Sequence, residues 1–220
     1  MLQEEFDEHG SAPTGQRLLD ITRSELTRLE RLATDFLAYA KPRPLDLEEV
    51  PVVRLLERAR EVLAAEIAKR GAAVNVTDRS GGARVRVDLS QLNQLLLNLV
   101  QNALAATEES GRPPSLELTA YRQGSQVLLE IVDNGVGIPL EEQKKIFDLF
   151  YSTRKGGTGL GLAIVQRIAR THGGRLEVKS TPGVGTAVTL ALPGVGAADT
   201  VARQAAEAAT PAPRAALKPL

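Results

Sequence analysis

RKGGTGLGLAIV, residues 154–165, places four glycines within six residues directly before an apolar run with helical potential. Two known phosphate-binding loops do not fit its spacing. A P-loop needs a Lys immediately after its second glycine, whereas Leu162 follows Gly161. A dinucleotide fingerprint needs a third small residue where this stretch has Leu162 or Ile164. The stretch therefore predicts a glycine segment that leads into a helix whose first N–H groups suit an anion, or a flexible loop before an ordinary helix.

The composition limits the classes of function that the chain can have. It has 220 residues, 43% of them hydrophobic, with 27 basic and 27 acidic side chains and no cysteine. This predicts one good core plus an appendage. Balanced charge argues against a protein that coats nucleic acid. The lack of cysteine excludes disulfides and thiolate metal sites and fits a cytoplasmic location. We expect no signal peptide and no membrane segment within this sequence, although a longer parent protein could be membrane-anchored.

The N-terminal part predicts a flexible leader followed by one long helix. Residues 1–15 contain few apolar side chains and several glycine and proline residues. Residues 16–42 carry small and apolar residues at alternating steps of three and four, from Leu19 to Ala40, which is typical of a coiled-coil-like helix. Pro42 is expected to end it. Such a stripe needs a partner, which is either another chain or the domain that follows.

Residues 45–193 show the pattern of a mixed domain of helices and strands. Helices are predicted from Pro51 to Gly71, over 89–108, and from about Leu160 to Thr171. Strands are predicted over 73–77, 83–87, 116–121, 127–132, 175–180 and 186–192. Residues 194–220 are rich in alanine and proline and predict a tail.

Two asparagines in the helix 89–108 lie four residues apart. Asn98 and Asn102 therefore occupy one face, one turn above each other, beside a leucine-rich packing surface. A carboxamide oxygen can bind Mg²⁺, which is usually shared with substrate phosphates. Two solvent-facing asparagines are the alternative.

The sequence DNGVGIP, residues 133–139, follows a predicted buried strand. A carboxylate at that position can accept a hydrogen bond from a flat ligand lying on bare glycine backbone, such as the amino group of adenine. Guanine would present a carbonyl oxygen to Asp133 instead, so a preference for adenine is expected. A plain Asp-Asn-Gly turn is the alternative.

Three of the few aromatic residues cluster in IFDLFYST, residues 146–153. This clustering predicts a hydrophobic anchor for a long segment, with the end of a core helix as the alternative.

In this order, the stretches resemble the catalytic ATP-binding domain of sensor histidine kinases of two-component systems, which has the gyrase/Hsp90/MutL type of fold. The resemblance extends from about Leu18 to Pro193. It rests on the asparagine box QLLLNLVQNA (94–103), the first glycine box DNGVGIP (133–139), the phenylalanine box IFDLF (146–150), the second glycine box GTGLGL (157–162) and the final box GVGT (183–186). It implies an α+β fold, a two-layer α/β sandwich of the Bergerat type preceded by one long coiled-coil-like helix.

The resemblance implies roles for the residues around the base and the metal. Asn102, with Asn98 beside it, would hold Mg²⁺ that bridges the phosphates of ATP. Asp133 would accept a hydrogen bond from the adenine amino group. Gly135 and Gly137 would allow the base and the backbone to approach. Thr186 would lie behind the adenine.

The resemblance also assigns the phosphate side of the site. The glycine segment would wrap the triphosphate through Gly157, Thr158, Gly159, Leu160 and Gly161. Lys155, with Arg154, could contact the terminal phosphates, and no other catalytic residue is assigned. Residues 138–158 would form an ATP lid that is mobile when empty. Positioning and charge neutralisation of this kind are sufficient for phosphoryl transfer on the ATP side.

The phosphate acceptor departs from the family pattern. Residues 16–42 resemble the second helix of a dimerisation and histidine-phosphotransfer hairpin, but the first helix, which carries the accepting histidine, is absent. His9 is followed by Gly10 and Ser11, so it lacks the acidic residue that follows the accepting histidine in the family motif. His172 ends a helix, where a side chain that can carry positive charge favours the dipole. Both histidines are therefore expected to be structural or incidental. We therefore predict ATP binding, a homodimer through residues 16–42, a response-regulator partner, and little autophosphorylation.

Three other functions use the same kind of fold. One is a free-standing ATPase clamp of the gyrase or MutL type, against which the short lid and the upstream helix argue. Another is a non-catalytic module that binds a partner through residues 16–40. The third is a serine kinase of the type found among anti-sigma factors.

Overall fold

The computed structural model describes residues 11–40, 44–154 and 157–196, which belong to two compact units. The smaller unit includes residues up to 44 together with 144–164, and the larger includes 45–143 together with the residues from 165 onward. His9, Lys155 and the predicted tail from residue 197 lie outside the described residues.

The long helix α1 of the smaller unit extends from Ser11 to Ala40. The prediction that the leader reaches residue 15 is therefore wrong. Ser11 is a favourable residue at a helix start, and Pro13 is tolerated because N–H groups in the first turn have no partner within the helix. Large apolar side chains along α1 are exposed, among them Leu19 at 66%, Leu26 at 56% and Leu29 at 57%.

The larger unit is built on a mixed five-stranded sheet. In spatial order its strands are β2 (Ala73–Arg79), β4 (Ser115–Gln123), β5 (Gln126–Asp133), β7 (Gly185–Pro193) and β6 (Arg175–Thr181). β2 pairs with β4 in parallel, and the other pairs are antiparallel. The strands extend beyond their predicted ends because cross-strand hydrogen bonding continues to the turn residues.

A second, two-stranded sheet pairs β1 (Glu48–Pro51) with β3 (Arg84–Val87). The sequence pattern missed β1, and the prediction that Pro51 opens a helix is wrong. Pro51 ends β1, and α2 follows directly from Val52 to Arg70. The pairing with β3 cannot be detected locally because the two strands are far apart in sequence.

Helices α2 and α3 (Leu89–Ser110) contact each other and the five-stranded sheet. Their buried leucines, including Leu55, Leu63, Leu92 and Leu95, pack in the same core as Leu116, Leu118 and Leu190 of the strands. The arrangement is the α+β sandwich that the sequence predicts. Two further helices are α4 (Leu140–Gln143) and α5 (Gly161–Thr171). Across the described ranges, no helix is both long and apolar enough to cross a bilayer.

The start of α3 is held by Asp88 and His172. The Asp88 carboxylate accepts a hydrogen bond from the Gln91 N–H at 3.1 Å and caps the helix. Burial raises the pKa of Asp88, but hydrogen bonds from the Gln91 N–H and the Ser90 hydroxyl outweigh it and hold the pKa below the ordinary value of 3.8. The backbone N–H of Asp88 donates to His172 Nε2 at 3.0 Å.

The ring of His172 is oriented by its second nitrogen. Nδ1 lies 2.8 Å from the carbonyl oxygen of Ile168, so Nδ1 carries a proton and Nε2 acts as an acceptor. These contacts agree with the structural role expected for His172, but they place Nε2 as an acceptor at the start of α3. His172 directly follows α5 and is only 7% exposed. Its hydrogen bond to Asp88 therefore connects the end of α5 to the start of α3, the helix that carries Asn98 and Asn102.

Replacement of His172 by Phe is expected to destabilise the larger unit by about 1–3 kcal/mol, because the buried N–H of Asp88 loses its acceptor. Urea unfolding followed by circular dichroism measures this loss. Thr171→Val is the matched control: it also removes a side-chain donor to the Ile168 carbonyl, but from an exposed residue. Equal losses in the two variants would show that the His172 contact contributes nothing specific.

Candidate nucleotide-binding site

Asp133 ends β5 and lies in register with Thr186 of β7. Asp133 is 8% exposed, so this acid is buried at the end of the strand. A buried position of this kind is expected for a group that binds a ligand. Its Oδ1 accepts hydrogen bonds from the Gly135 N–H at 2.8 Å and from the Thr186 N–H at 3.3 Å. These two bonds fix the orientation of the carboxylate. The alternative of a plain Asp-Asn-Gly turn at the surface does not fit a buried carboxylate with these two bonds.

The loop after Asp133 is bound to α3. The N–H of Val136 donates to the Ala106 carbonyl at 3.1 Å. A Cβ added to Gly135 would lie 2.5 Å from the Ala106 Cβ, so only glycine allows this approach. Asn102 lies one turn before Ala106, and Asn98 one turn further, with both asparagines half-buried. The structure thus brings the asparagine face of α3 and the Asp133 loop into one region of the larger unit.

Gly137 and Gly185 occupy backbone conformations that other residues rarely adopt. Gly137 has φ 72°, and a Cβ there would lie 2.2 Å from the carbonyl oxygen of Thr181. Gly185 has φ 150°, and a Cβ there would lie 2.0 Å from the carbonyl oxygen of Asp133. These two glycines allow the β6–β7 turn to approach the Asp133 loop closely.

Several side chains that support this loop were not predicted from the sequence. The Ser180 hydroxyl accepts a hydrogen bond from the Ile138 N–H at 2.8 Å and lies 2.9 Å from Thr186 Oγ1. The Gln143 amide donates to the carbonyl oxygens of Ile138 and Ser180 at 2.8 and 3.0 Å. The Arg112 guanidinium donates to the Gly135 carbonyl at 2.8 Å. No local pattern marks them, because the contacts of Ser180 with Ile138, of Gln143 with Ser180 and of Arg112 with Gly135 join segments that are distant in sequence.

The predicted phosphate segment belongs to the smaller unit. Thr158 is buried, and its Oγ1 accepts a hydrogen bond from the Leu160 N–H at 3.4 Å. The carbonyl of Gly159 accepts a bond from the Phe150 N–H at 3.0 Å, and a Cβ at Gly157 would lie 2.2 Å from Ser152 Oγ. α5 begins directly afterwards at Gly161. The loop before the N-terminus of α5 is thus so tightly packed that Gly157 and Gly159 have no room for a side chain.

The aromatic cluster gives a mixed result. Ile146 is 8% exposed and buried, but Phe150 is 59% exposed and has φ 65°. Residues 146–153 contain no helix, so the alternative of a core helix end is wrong. Phe150 does not act as a buried anchor here.

The donor set around α3 fits a metal that is shared with phosphate. Within residues 11–40, 44–154 and 157–196, no group of three or more His, Cys, Asp or Glu side chains could hold a metal ion by itself. The carboxamide oxygens of Asn98 and Asn102 are hard oxygen donors, and Mg²⁺ commonly combines few protein ligands with water and substrate phosphates. The residues present therefore fit Mg²⁺ bound together with a nucleotide.

Comparison with known proteins identifies the domain. Residues 87–195 match the family described as histidine kinase-, DNA gyrase B-, and HSP90-like ATPase. The chain is 32% identical over 184 residues to the sensor histidine kinase ZraS of Escherichia coli, and the match covers 82% of this chain and 39% of that protein. The chain thus spans about two fifths of the length of such curated relatives.

Solved structures of histidine kinases are similar to the chain. The mycobacterial sensor histidine kinase MprB is 30% identical, with a TM-score of 0.58 and coverage of 67% of this chain and 97% of that one. Full-length ShkA in complex with AMPPNP is 27% identical, with a TM-score of 0.69 and coverage of 84% and 39%. The histidine kinase ThkA in complex with the response regulator TrrA is 26% identical, with a TM-score of 0.70 and coverage of 87% and 55%.

These similarities confirm the predicted resemblance and the predicted fold. The match spans residues 87–195, which include α3, the Asp133 loop, residues 146–162 and the β6–β7 hairpin, and these carry all the predicted boxes. The chain therefore belongs to the family of histidine kinase-, DNA gyrase B-, and HSP90-like ATPases, within which its relatives are sensor histidine kinases.

Proposed function

We propose that the chain is the ATP-binding catalytic portion of a two-component sensor histidine kinase. It positions Mg-ATP for phosphoryl transfer to a histidine that does not occur in the described structure. The observation that carries this proposal is the buried Asp133 carboxylate, held by two backbone N–H groups beside glycines that keep side chains away. Such a site suits a flat base with an amino group.

The nucleotide is proposed to contact the predicted residues in two groups. Asp133, Gly135, Gly137 and Thr186 hold the adenine. The residues that hold the phosphates and the metal are Asn98, Asn102, Lys155, Gly157, Thr158, Gly159, Leu160 and Gly161. Bound Mg²⁺ would neutralise charge on the phosphates, and the carboxamide of Asn102 would orient it. The AMPPNP complex of the similar kinase ShkA supports nucleotide binding by this fold.

Calorimetric titration with ATP and GTP, with and without Mg²⁺, tests the proposal. We expect micromolar affinity for Mg-ATP and much weaker binding of GTP. Binding of neither nucleotide by the unaltered chain would contradict the proposed function.

Asn102→Ala is expected to remove most of the gain in ATP affinity that Mg²⁺ provides, because the metal loses a ligand from α3. The comparison of ATP affinity with Mg²⁺ and with EDTA measures this gain. Gln101→Ala, which changes the exposed neighbouring residue, is the control and should retain the full effect of Mg²⁺. An unchanged Mg²⁺ dependence in Asn102→Ala would exclude this residue as a metal ligand.

The acceptor and the partner are proposed from the relatives. The complex of the similar kinase ThkA with its response regulator supports a receiver domain as the downstream partner. Incubation of the chain with γ-labelled ATP and a separately supplied phosphotransfer hairpin should place label on the hairpin. An acid-labile phosphate would indicate histidine, whereas an acid-stable phosphate would favour a serine kinase. Stable label on His9 would contradict the proposed acceptor.

The exposed stripe of α1 predicts self-association of the chain. Leu19, Leu26 and Leu29 lie near one line along the helix and are more than half exposed, so pairing would remove them from water. Sedimentation velocity is expected to show a dimer that Leu26→Asp converts to monomer. Ser24→Asp, on the opposite side of α1, should remain dimeric. A strictly monomeric unaltered chain would contradict pairing through residues 16–42.

A further inference from the structure

The hydroxyl of Ser180 makes three hydrogen-bond contacts at the β6–β7 hairpin. It accepts from the Ile138 N–H at 2.8 Å, donates to the Gly185 carbonyl at 2.9 Å, and lies 2.9 Å from Thr186 Oγ1. Ser180 and Thr186 pair across the hairpin, and Thr186 pairs with Asp133 on the other side. Ser180 is therefore connected to the buried acid through one intervening residue.

The contacts allow only one arrangement of the two hydroxyl protons. A serine hydroxyl has one proton and two lone pairs. A carbonyl and an N–H have fixed roles, so the Ser180 proton goes to Gly185 and one lone pair goes to Ile138. The remaining lone pair faces Thr186, which must donate its own proton to Ser180. The oxygen of Thr186 is then left with lone pairs only.

We infer that Ser180 is a positioning residue that fixes the Thr186 hydroxyl as a hydrogen-bond acceptor, and so makes the base site selective for a purine with an amino group at position 6. This inference rests on the proposed function. Asp133 and Thr186 then present acceptors side by side, because the Thr186 N–H also donates to Asp133 Oδ1 at 3.3 Å. A carbonyl oxygen at position 6 of the purine would then meet acceptors only.

Removal of the Ser180 hydroxyl should change selectivity more than stability. Without that acceptor, the Thr186 proton can rotate towards the base and donate to a carbonyl oxygen. Ser180→Ala should therefore narrow the ratio of ITP to ATP dissociation constants by about threefold to tenfold, which corresponds to one neutral hydrogen bond. ITP is the appropriate probe because its base has a carbonyl oxygen at position 6, with a proton on N1, and lacks the amino group that guanine carries at position 2.

Two variants separate this effect from loosening of the loop. Gln143→Ala removes the amide that holds the Ile138 and Ser180 carbonyls but leaves the Ser180 hydroxyl unchanged. It should alter both affinities by the same factor and preserve the ratio. Thr186→Val removes the proposed acceptor itself. In that background, addition of Ser180→Ala should not change the ratio further, because Ser180 acts through Thr186.

Calorimetry of the full chain with Mg-ATP and Mg-ITP gives the decisive result. We expect the ratio of ITP to ATP dissociation constants to narrow in Ser180→Ala and in Thr186→Val, and to stay unchanged in Gln143→Ala. A ratio within about twofold of the unaltered chain in Ser180→Ala would overturn the inference while ATP binding persists. If Ser180→Ala does not fold, an unchanged ratio in Thr186→Val overturns it equally. Failure of the unaltered chain to bind ATP would overturn the proposed function, and this inference with it.

Discussion

Asp133→Asn is expected to weaken ATP binding about tenfold to hundredfold, the loss typical of one hydrogen bond to a charged group. Asparagine keeps the size and shape of the side chain. Its carbonyl oxygen can still accept from the Gly135 and Thr186 N–H groups, which now bond to Oδ1. The second position changes from an acceptor to an NH₂ donor, which opposes the amino group of adenine.

The same exchange at Asp78 provides a matched control. Asp78 is an exposed residue of β2, and its Oδ1 accepts a hydrogen bond from the Ser80 N–H at 2.8 Å. Asp78→Asn thus repeats the chemical change at a carboxylate with a similar backbone contact but outside the proposed site. It should bind ATP normally. Calorimetry measures both variants, and circular dichroism verifies that they are folded.

The loss of affinity in Asp133→Asn should also depend on the base of the nucleotide. Asp133→Asn should lose ATP affinity while ITP affinity does not fall, because the new NH₂ group can donate to a carbonyl oxygen. ATP affinity within about twofold of the unaltered chain would exclude Asp133 as the group that contacts the base.

Gly185→Ala is expected to destabilise the larger unit by about 3 kcal/mol or more. The added methyl group would lie 2.0 Å from the carbonyl oxygen of Asp133, and the backbone has φ 150°. To relieve this clash, the β6–β7 hairpin would have to move away from β5. Because Thr186 follows directly, that movement would also break its N–H bond to Asp133, so ATP binding should decline with stability.

Gly183→Ala separates the steric contact from backbone strain. Gly183 lies two residues earlier in the same hairpin and has φ 75°, but a Cβ there meets nothing within 4 Å. Its replacement should cost only the strain of a left-handed alanine, about 1 kcal/mol. Urea unfolding of both variants gives the comparison. Equal losses would show that close approach to Asp133 does not determine the requirement for glycine at 185.

The sequence determined the type of fold and the residue types of the candidate site. The alternation of helix and strand patterns predicted a mixed domain of helices and strands, and the resemblance of the ordered boxes to sensor histidine kinases implied an α+β ATP-binding domain, which the family match confirms. These signals are local: the period of apolar residues, the stop at glycine, and an acid at the end of an apolar strand. Each depends on neighbours within about one or two turns of helix or one strand.

The tertiary structure decided how these pieces support one another. β1 depends on pairing with β3, and the acceptor role of His172 depends on the N–H of Asp88, 84 positions earlier in the chain. The contacts of Ser180 with Ile138, and of Thr186 with Asp133, likewise join distant segments. A hydrogen bond specifies a direction as well as a residue type, and that direction is set only when both segments are packed. The residues proposed to bind a nucleotide are therefore visible in the sequence, whereas the groups that orient them become visible only in the fold.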